Sequence, residues 1–352
     1  MEKQLVIGFI GNGKSTNRYH LPFVLNRPEK IRVKTIYQRR VRHDVWPAVA
    51  GVHYTEDFAE LLQDPEIQAV VLSTPAGSHV ELARQVLEAG KHCVVEKPFA
   101  VSVAEAQEIF ALARAKGLMV QCYQNRRFDS DFLTVQQVIA SGKLGELYEV
   151  NMHYDYYRPE VPERAAGFHR EEAFLYTHAC HTVDQVLSFF GEPDEVHSDV
   201  RQLLGAGRMN DYFDLDFEYA ARALKVSVKS SYFRVKPRPS FAVYGRRGVF
   251  IKQTEDRQEA DLKKFYLPQG HEDFGIDLPE HYGTLTYYDE QGGYHEEKVP
   301  SVRGDYARFY DALYETIQHG APPLVTEAQT LAQMRILEQA GKSLAVGVTG
   351  EV

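Results

Sequence analysis

The chain has 352 residues, 44% of them hydrophobic and 25% charged, enough for two cores and too apolar for a disordered chain. A formal net charge of -9 argues against nucleic acid or an anionic membrane surface as the main partner, since both would repel the chain as a whole. No apolar run approaches the roughly 20 residues of a membrane span, and Cys93, Cys122 and Cys180 form no CxxC pair, so they read as buried thiols of a cytoplasmic protein with no metal site.

Gln4 to Ile10 reads as an apolar strand that enters Gly11-Asn12-Gly13-Lys14-Ser15-Thr16, followed by a helical segment from Asn17 to Asn26. The glycine loop supports two incompatible chemistries. Gly8 to Ser15 matches the phosphate-loop pattern GxxxxGK[ST] letter for letter, as in a nucleotide triphosphatase. The shifted frame, Gly11-Asn12-Gly13, opens a dinucleotide fingerprint in which Thr16 holds the third glycine position. Phe9 and Ile10 are large and apolar, as expected if the strand continues past Gly8 and turns at Gly11. A triphosphatase also needs a strand ending in a magnesium-binding Asp, whereas Ala69 to Leu72 runs into Ser73-Thr74-Pro75. The dinucleotide frame is therefore favoured.

The second strand, Ile31 to Gln38, ends in Arg39-Arg40, and the first carboxylate after it is Asp44. An NAD site usually places an acid there for the ribose 2'-hydroxyl, while an Arg suits the 2'-phosphate of NADP, so NADP is expected ahead of NAD. Strand Ala69 to Leu72, helix Ser78 to Ala89, a strand over 92 to 96, helix Ala104 to Lys116 and strand Leu118 to Cys122 follow. Such alternation implies a parallel sheet covered on both faces. The strand over 92 to 96 ends in Glu96-Lys97-Pro98, which puts Lys97 at the carboxyl edge of the sheet, where ligands bind in doubly wound folds.

From Gln124 the pattern changes. After a helix over Asp131 to Ser141, strands are expected at Leu147 to Tyr154, Glu195 to Leu204, Phe213 to Tyr219, Leu224 to Tyr232, Phe241 to Tyr244, Val249 to Lys252 and Gly283 to Asp289. Several alternate apolar and polar residues, so one face of the sheet meets a core and the other meets solvent or a second copy; a homodimer or larger homo-oligomer is expected. Helices Tyr306 to His319 and Glu327 to Lys342 close the chain, the second capped by Thr326. Between Ala179 and Phe190, Val183, Val186, Leu187 and Phe190 share one helix face, and His181, Asp184, Gln185 and Ser188 share the opposite one. A solvated helix side would look the same, but a His with an Asp one turn on also fits general acid-base chemistry. The expected architecture is α/β: a Rossmann domain over 1–123, then an α+β domain over 124–352 with a large, mostly antiparallel, open-faced sheet.

Gly8-Phe9-Ile10-Gly11-Asn12-Gly13, Ser73-Thr74-Pro75 with His79, Glu96-Lys97-Pro98 and His181-Thr182-Val183-Asp184 together resemble the Gfo/Idh/MocA family of oxidoreductases. Tyr123 to Asp129, Tyr157 to Val161 and Phe250-Ile251-Lys252 are similar to the subgroup that includes NADP-dependent scyllo-inositol dehydrogenases. The resemblance implies an NADP-dependent dehydrogenase or reductase acting on a CH–OH group of a sugar or cyclitol. Lys97, His181 and Asp184 would be catalytic. Lys97 would bridge cofactor and substrate hydroxyl, His181 would accept the proton, Asp184 would support it or hold substrate, and the Lys97-Pro98 peptide would be cis. The implied cofactor contacts are Gly8, Gly11, Asn12, Gly13, Lys14, Ser15, Thr16, Arg39, Arg40, Ser73, Thr74, Pro75, His79, Glu96, Lys97, Pro98 and Asn125. Arg126, Arg127, Tyr157, Arg158, Tyr176 and His178 are candidates for a polyol pocket. Many members carry an acid four positions before the histidine, where this chain has Thr177. That leaves a non-catalytic dinucleotide sensor as an alternative beside the phosphate-loop hydrolase.

Overall fold

A computed structural model describes residues 3–40, 45–165, 169–342 and 344. The chain divides into two compact units. The first comprises the described residues up to Asn125 with Gln258–Phe274 and Asp305–Leu331; the second comprises Arg126–Arg257, Gly275–Gly304 and the described residues from Ala332 onward.

The first unit is built on β1 (Leu5–Ile10), β2 (Ile31–Tyr37), β3 (His53–Thr55), β4 (Ala69–Leu72), β5 (His92–Val95) and β6 (Val120–Cys122), in the order β3-β2-β1-β4-β5-β6. Every neighbouring pair is parallel. This is the doubly wound order, with its switch point between β1 and β4. All residues of β1 and β4 are buried, as a sheet covered on both faces requires. A π-helical turn, Thr16–His20, leads into α1 (Leu21–Val24), and α2 (Phe58–Gln63), α3 (His79–Glu88) and α4 (Val103–Lys116) supply the crossovers. Ser102 and Glu105 form a capping box at the start of α4, and Gly117 closes its end at φ 65°. Strand β3 and helix α2 are too short to show a periodicity and were not expected from the sequence.

The second unit carries β7 (Leu147–His153), β8 (Glu195–Arg201), β9 (Tyr212–Tyr219), β10 (Leu224–Ser231), β11 (Phe241–Gly245), β12 (Gly248–Lys252), β13 (Gly283–Tyr288) and β14 (Tyr294–Val299). Their order is β14-β13-β12-β11-β7-β10-β9-β8. All pairs are antiparallel except β7 with β10. Helices α5 (Ser130–Ala140), α6 (Glu160–Arg164) and α7 (Cys180–Phe190) belong to it. Val150, Val226, Val228, Phe241 and Val243 share a buried cluster with Val183, Val186 and Leu187 of α7, which identifies the core face of the sheet. On the other face Asp216, Ser227, Asn151, Ala242, Ile251 and Thr284 lie opposite one another across six strands. Strand β14 was not expected, because an edge strand rich in charge shows no apolar alternation.

Two later segments return to the first unit. One holds α8 (Gln258–Lys263), and the other holds α9 (Ala307–His319), whose Phe309 and Tyr310 pack on Tyr123 at ring distances of 4.7 and 6.0 Å. The last helix, α10 (Glu327–Gly341), is capped as expected: the Thr326 hydroxyl accepts from the Gln329 N–H at 3.2 Å.

Candidate active site

In the first unit the turn after β1 demands glycine at one position. Gly11 has φ 107°, and a Cβ there would lie 2.6 Å from the Ser73 carbonyl oxygen. The strand runs on through Gly8, where a Cβ would press on Leu61 Cδ1 at 3.2 Å and Thr35 O at 3.3 Å. Gly8 is therefore a packing residue of the sheet rather than part of the loop, contrary to its expected place among the cofactor contacts. At Gly13 a Cβ would meet nothing within 4 Å, leaving the backbone open to close approach. Thr16, at the third glycine position, is fully buried and donates its hydroxyl to Gly11 O at 2.7 Å, tying the helix start to the turn. Asn12 accepts from Asn17 Nδ2 at 2.8 Å, and Lys14 is exposed.

The Ser15 hydroxyl donates to Glu96 Oε1, and His20 Nε2 lies 3.0 Å from the same oxygen. Glu96 Oε2 accepts from the Lys97 N–H at 3.1 Å. Burial alone would raise the Glu96 pKa, but the His20 contact, the charges of His20 and Lys97 and the Ser15 hydrogen bond outweigh it and hold the carboxyl at about 2. Glu96 is thus an anchor that joins the glycine-loop helix to β5; its oxygens are committed to protein groups. His79 is another brace, with Nδ1 2.9 Å from Pro98 O and Nε2 2.9 Å from Thr74 O. The Lys97-Pro98 peptide is cis. Lys97 is half-buried, and its Nζ has no hydrogen-bond or ion-pair partner among the described residues.

A pocket of about 710 Å³ opens at the carboxyl edge of β1, β2 and β4. It brings together Gly11, Asn12, Arg39, Arg40, Ser73, Thr74 and Pro75, all expected, with Gln38, Ser78, Glu81 and Gln85, which were not. Ser73 Oγ and Gln38 Nε2 are buried without a hydrogen-bond partner. Two guanidinium groups and two orphaned polar atoms around one crevice fit a phosphate-bearing dinucleotide. Asp44 lies outside the described residues. Among the described residues no group of three or more His, Cys, Asp or Glu is placed to hold a metal ion.

In the second unit the polar stripe of α7 is not a solvated face, since Asp184 is 2% and Gln185 1% exposed. Asp184 does not orient His181. Its Oδ2 accepts from Arg127 Nε and its Oδ1 from Arg127 Nη2, both at 2.7 Å. Gln185 Nε2 donates to Arg126 O at 2.7 Å, and Arg126 Nη1 donates to the Tyr154 hydroxyl at 2.9 Å. Arg126 and Arg127, expected in a polyol pocket, are thus buried and serve the protein's own groups. His181 is half-buried at the start of α7, just after a π-helical turn, Leu175–Ala179.

The Thr177 hydroxyl donates to Ala173 O at 3.0 Å, so at 2.9 Å it accepts from His178 Nδ1–H, leaving Nε2 to accept from Tyr232 at 3.5 Å. Tyr176 is buried in the core beside Gly341, and burial pushes its phenol up to about 12. Tyr157 is 60% exposed, and Arg158 faces Glu160 at 3.8 Å on the surface. Asn125 is buried at the end of the first unit's opening segment.

Residues 5–124 match the oxidoreductase family described as an NAD-binding Rossmann fold, and residues 136–350 match that family's C-terminal alpha/beta domain. Over 332 residues, 94% of each chain, the protein is 46% identical to YhhX, an uncharacterised oxidoreductase of Escherichia coli. It is 32% identical over 343 residues to the scyllo-inositol 2-dehydrogenase (NADP(+)) IolW of Bacillus subtilis, covering 96% of this chain and 93% of that one. The crystal structure of an oxidoreductase from Bacillus cereus superposes with a TM-score of 0.91 at 42% identity, covering 99% of both chains. These matches span both units, and the nucleotide-hydrolase frame of the glycine loop is set aside: the chain belongs to the Gfo/Idh/MocA family of NAD(P)-binding oxidoreductases.

Proposed function

We propose that the protein is an NADP-dependent dehydrogenase or reductase that interconverts a secondary alcohol and a ketone of a sugar or cyclitol. The observation that carries the cofactor choice is the pairing of Arg39 and Arg40 in the same pocket as Gly11 and Ser73. Guanidinium groups at the end of β2 suit the 2'-phosphate, with which they form charge-assisted hydrogen bonds. The similarity to IolW, a scyllo-inositol 2-dehydrogenase (NADP(+)), supports the substrate class.

When bound, the cofactor supplies the hydride acceptor or donor. Lys97, whose ammonium makes no hydrogen bond or ion pair among the described residues, donates a hydrogen bond to the substrate oxygen and stabilises charge there. His181 takes the hydroxyl proton during oxidation. Asp184 positions Arg127 and through it the segment before α5. A sensor that binds the dinucleotide without turnover is the second reading. Thr177 favours it, because a hydroxyl already engaged with Ala173 and His178 replaces the acid of many relatives.

A panel of polyols and sugars with NADP and with NAD, followed by reduced-nicotinamide absorbance, separates the two readings. Turnover of a polyol with NADP supports the enzyme; tight cofactor binding with no turnover across the panel supports the sensor. Equal affinities for NADP and NAD, unchanged in Arg39→Ala and Arg40→Ala, would remove the argument for NADP.

A further inference from the structure

Three segments of the first unit converge beside the glycine loop and form a stack that the dinucleotide reading leaves unused. The helical turn Thr16–His20 carries Arg18, directly after the loop. The stretch after Arg39 and Arg40 carries Trp46, the single tryptophan of the chain. The segment Gln258–Phe274 returns to this unit from far along the chain and carries Phe265. The Phe265 ring joins the other two: the Arg18 guanidinium lies 4.9 Å from its centroid, and the Trp46 ring lies 5.5 Å away at an interplanar angle of 38°.

Two features of this stack are unfavourable in themselves. Arg18 Nε is buried and has no hydrogen-bond acceptor, which leaves a charged donor unsatisfied. Phe265 has φ 60°, in the left-handed region that a bulky residue avoids, and it is 44% exposed, so its own burial does not compensate. The segment is anchored beyond Phe265 instead. Gln269 Nε2 donates to Pro22 O, and Phe274 packs on Phe23 at 6.0 Å. The anchors therefore fix a strained aromatic residue over an unsatisfied guanidinium next to the loop that receives phosphates.

We infer that Gln258–Phe274 is a strap over the bound dinucleotide, in which Arg18 Nε–H donates to an oxygen of the diphosphate while Phe265 and Trp46 form an apolar cover. The inference rests on the dinucleotide reading of the adjoining pocket. A guanidinium stacks through its face and hydrogen-bonds through its edge, so the contact with Phe265 uses none of its N–H donors. Arg18 belongs to the helix that follows the glycine loop, whose leading N–H groups attract the diphosphate, whereas Arg39 and Arg40 stand at the end of β2 near the ribose. The two sets of arginines should therefore have different signatures. Loss of Arg18 weakens both cofactors, and loss of Arg39 or Arg40 weakens NADP alone.

The test is calorimetric titration of NADP and NAD into the full chain, alongside Trp46 emission, for wild type, Arg18→Ala, Arg18→Lys, Phe265→Ala and Phe265→Leu, with thermal melts to confirm folding. The expected result is a change in Trp46 emission on binding, a loss of affinity of roughly ten- to a hundredfold for both cofactors in Arg18→Ala, and loss of the emission change in Phe265→Ala. Heat of binding with unaltered Trp46 emission, and with Arg18→Ala matching wild type, would overturn the strap while leaving the dinucleotide reading intact. No heat with either cofactor in the wild type would overturn the dinucleotide reading and the strap with it.

Discussion

Arg127 and Asp184 meet side-on inside the second unit, each carboxylate oxygen 2.7 Å from one guanidinium nitrogen, with their side chains 8% and 3% exposed. The bidentate geometry fills the carboxylate's strongest acceptor directions and ties α7 to the segment before α5. Removing Asp184 takes the bidentate carboxylate from a buried guanidinium, and breaking a buried pair in this way costs about 3–5 kcal/mol. Asp184→Ala should lower the unfolding free energy by that order in a urea titration, with the shape of any pH–rate profile unchanged. A variant of normal stability that has lost the pH dependence would instead make Asp184 part of the proton relay.

Glu96 gives a pH-dependent prediction. Its pKa in the folded chain is depressed to about 2, so it adds stability above the ordinary carboxylate range, and that contribution is lost as pH falls towards about 2. Glu96→Gln should therefore melt below wild type at neutral pH, and the gap should close on acidification. It should also weaken cofactor binding, because Ser15 and His20 lose their anchor. A gap that persists unchanged at low pH would contradict this account.

Asp131 has the opposite sign. Burial first, and then the nearby Asp129, push its pKa well above the carboxylate range, and its Oδ2 has no hydrogen-bond partner. The folded chain keeps a proton that the unfolded chain releases, so the stability linked to this group is present at low pH and declines as pH rises from the ordinary carboxylate range upward. Asp131→Asn should flatten that decline in melts recorded from mildly acidic to alkaline pH. Identical pH slopes in the two proteins would show that Asp131 is ionised in the folded state.

The sheet of the second unit predicts assembly. Its core face is occupied by α7, and its other face carries Asn151, Ser227, Ala242 and Ile251 in register across adjacent strands, Asn151 and Ile251 half-buried and the other two buried. Charge placed in that row, as in Ile251→Lys, should shift the mass measured by light scattering from a dimer or larger species to a monomer. A monomeric wild type at micromolar concentration would remove the prediction.

What could be read from the sequence follows from how each signal is carried. Strands β1 and β4 were legible because burial on both faces writes an unbroken apolar run, and the turn at Gly11 because Phe9 and Ile10 extend the strand beyond Gly8. The capping role of Thr326 was legible because it is local. The partner of Asp184 was not. Helical spacing puts Asp184 and Gln185 on the face away from the core residues of α7, yet both are buried by groups more than 50 residues earlier in the chain. The return of Gln258–Phe274 to the first unit was equally hidden, since a charged, irregular segment gives no period from which to read its contacts.

His181 and Lys97 are proposed to share one chemical step. This is tested most directly by the rate of alcohol oxidation against pH for wild type, His181→Ala and Lys97→Met, using the best polyol found with NADP. The wild-type rate should rise through the neutral range, where imidazole titrates. His181→Ala should be slower by about a hundred- to ten-thousandfold and flat over that range. Lys97→Met should be severely slowed yet melt like wild type. If His181→Ala keeps the wild-type rate and the same profile, the histidine is a structural residue of α7 and the catalytic assignment is wrong.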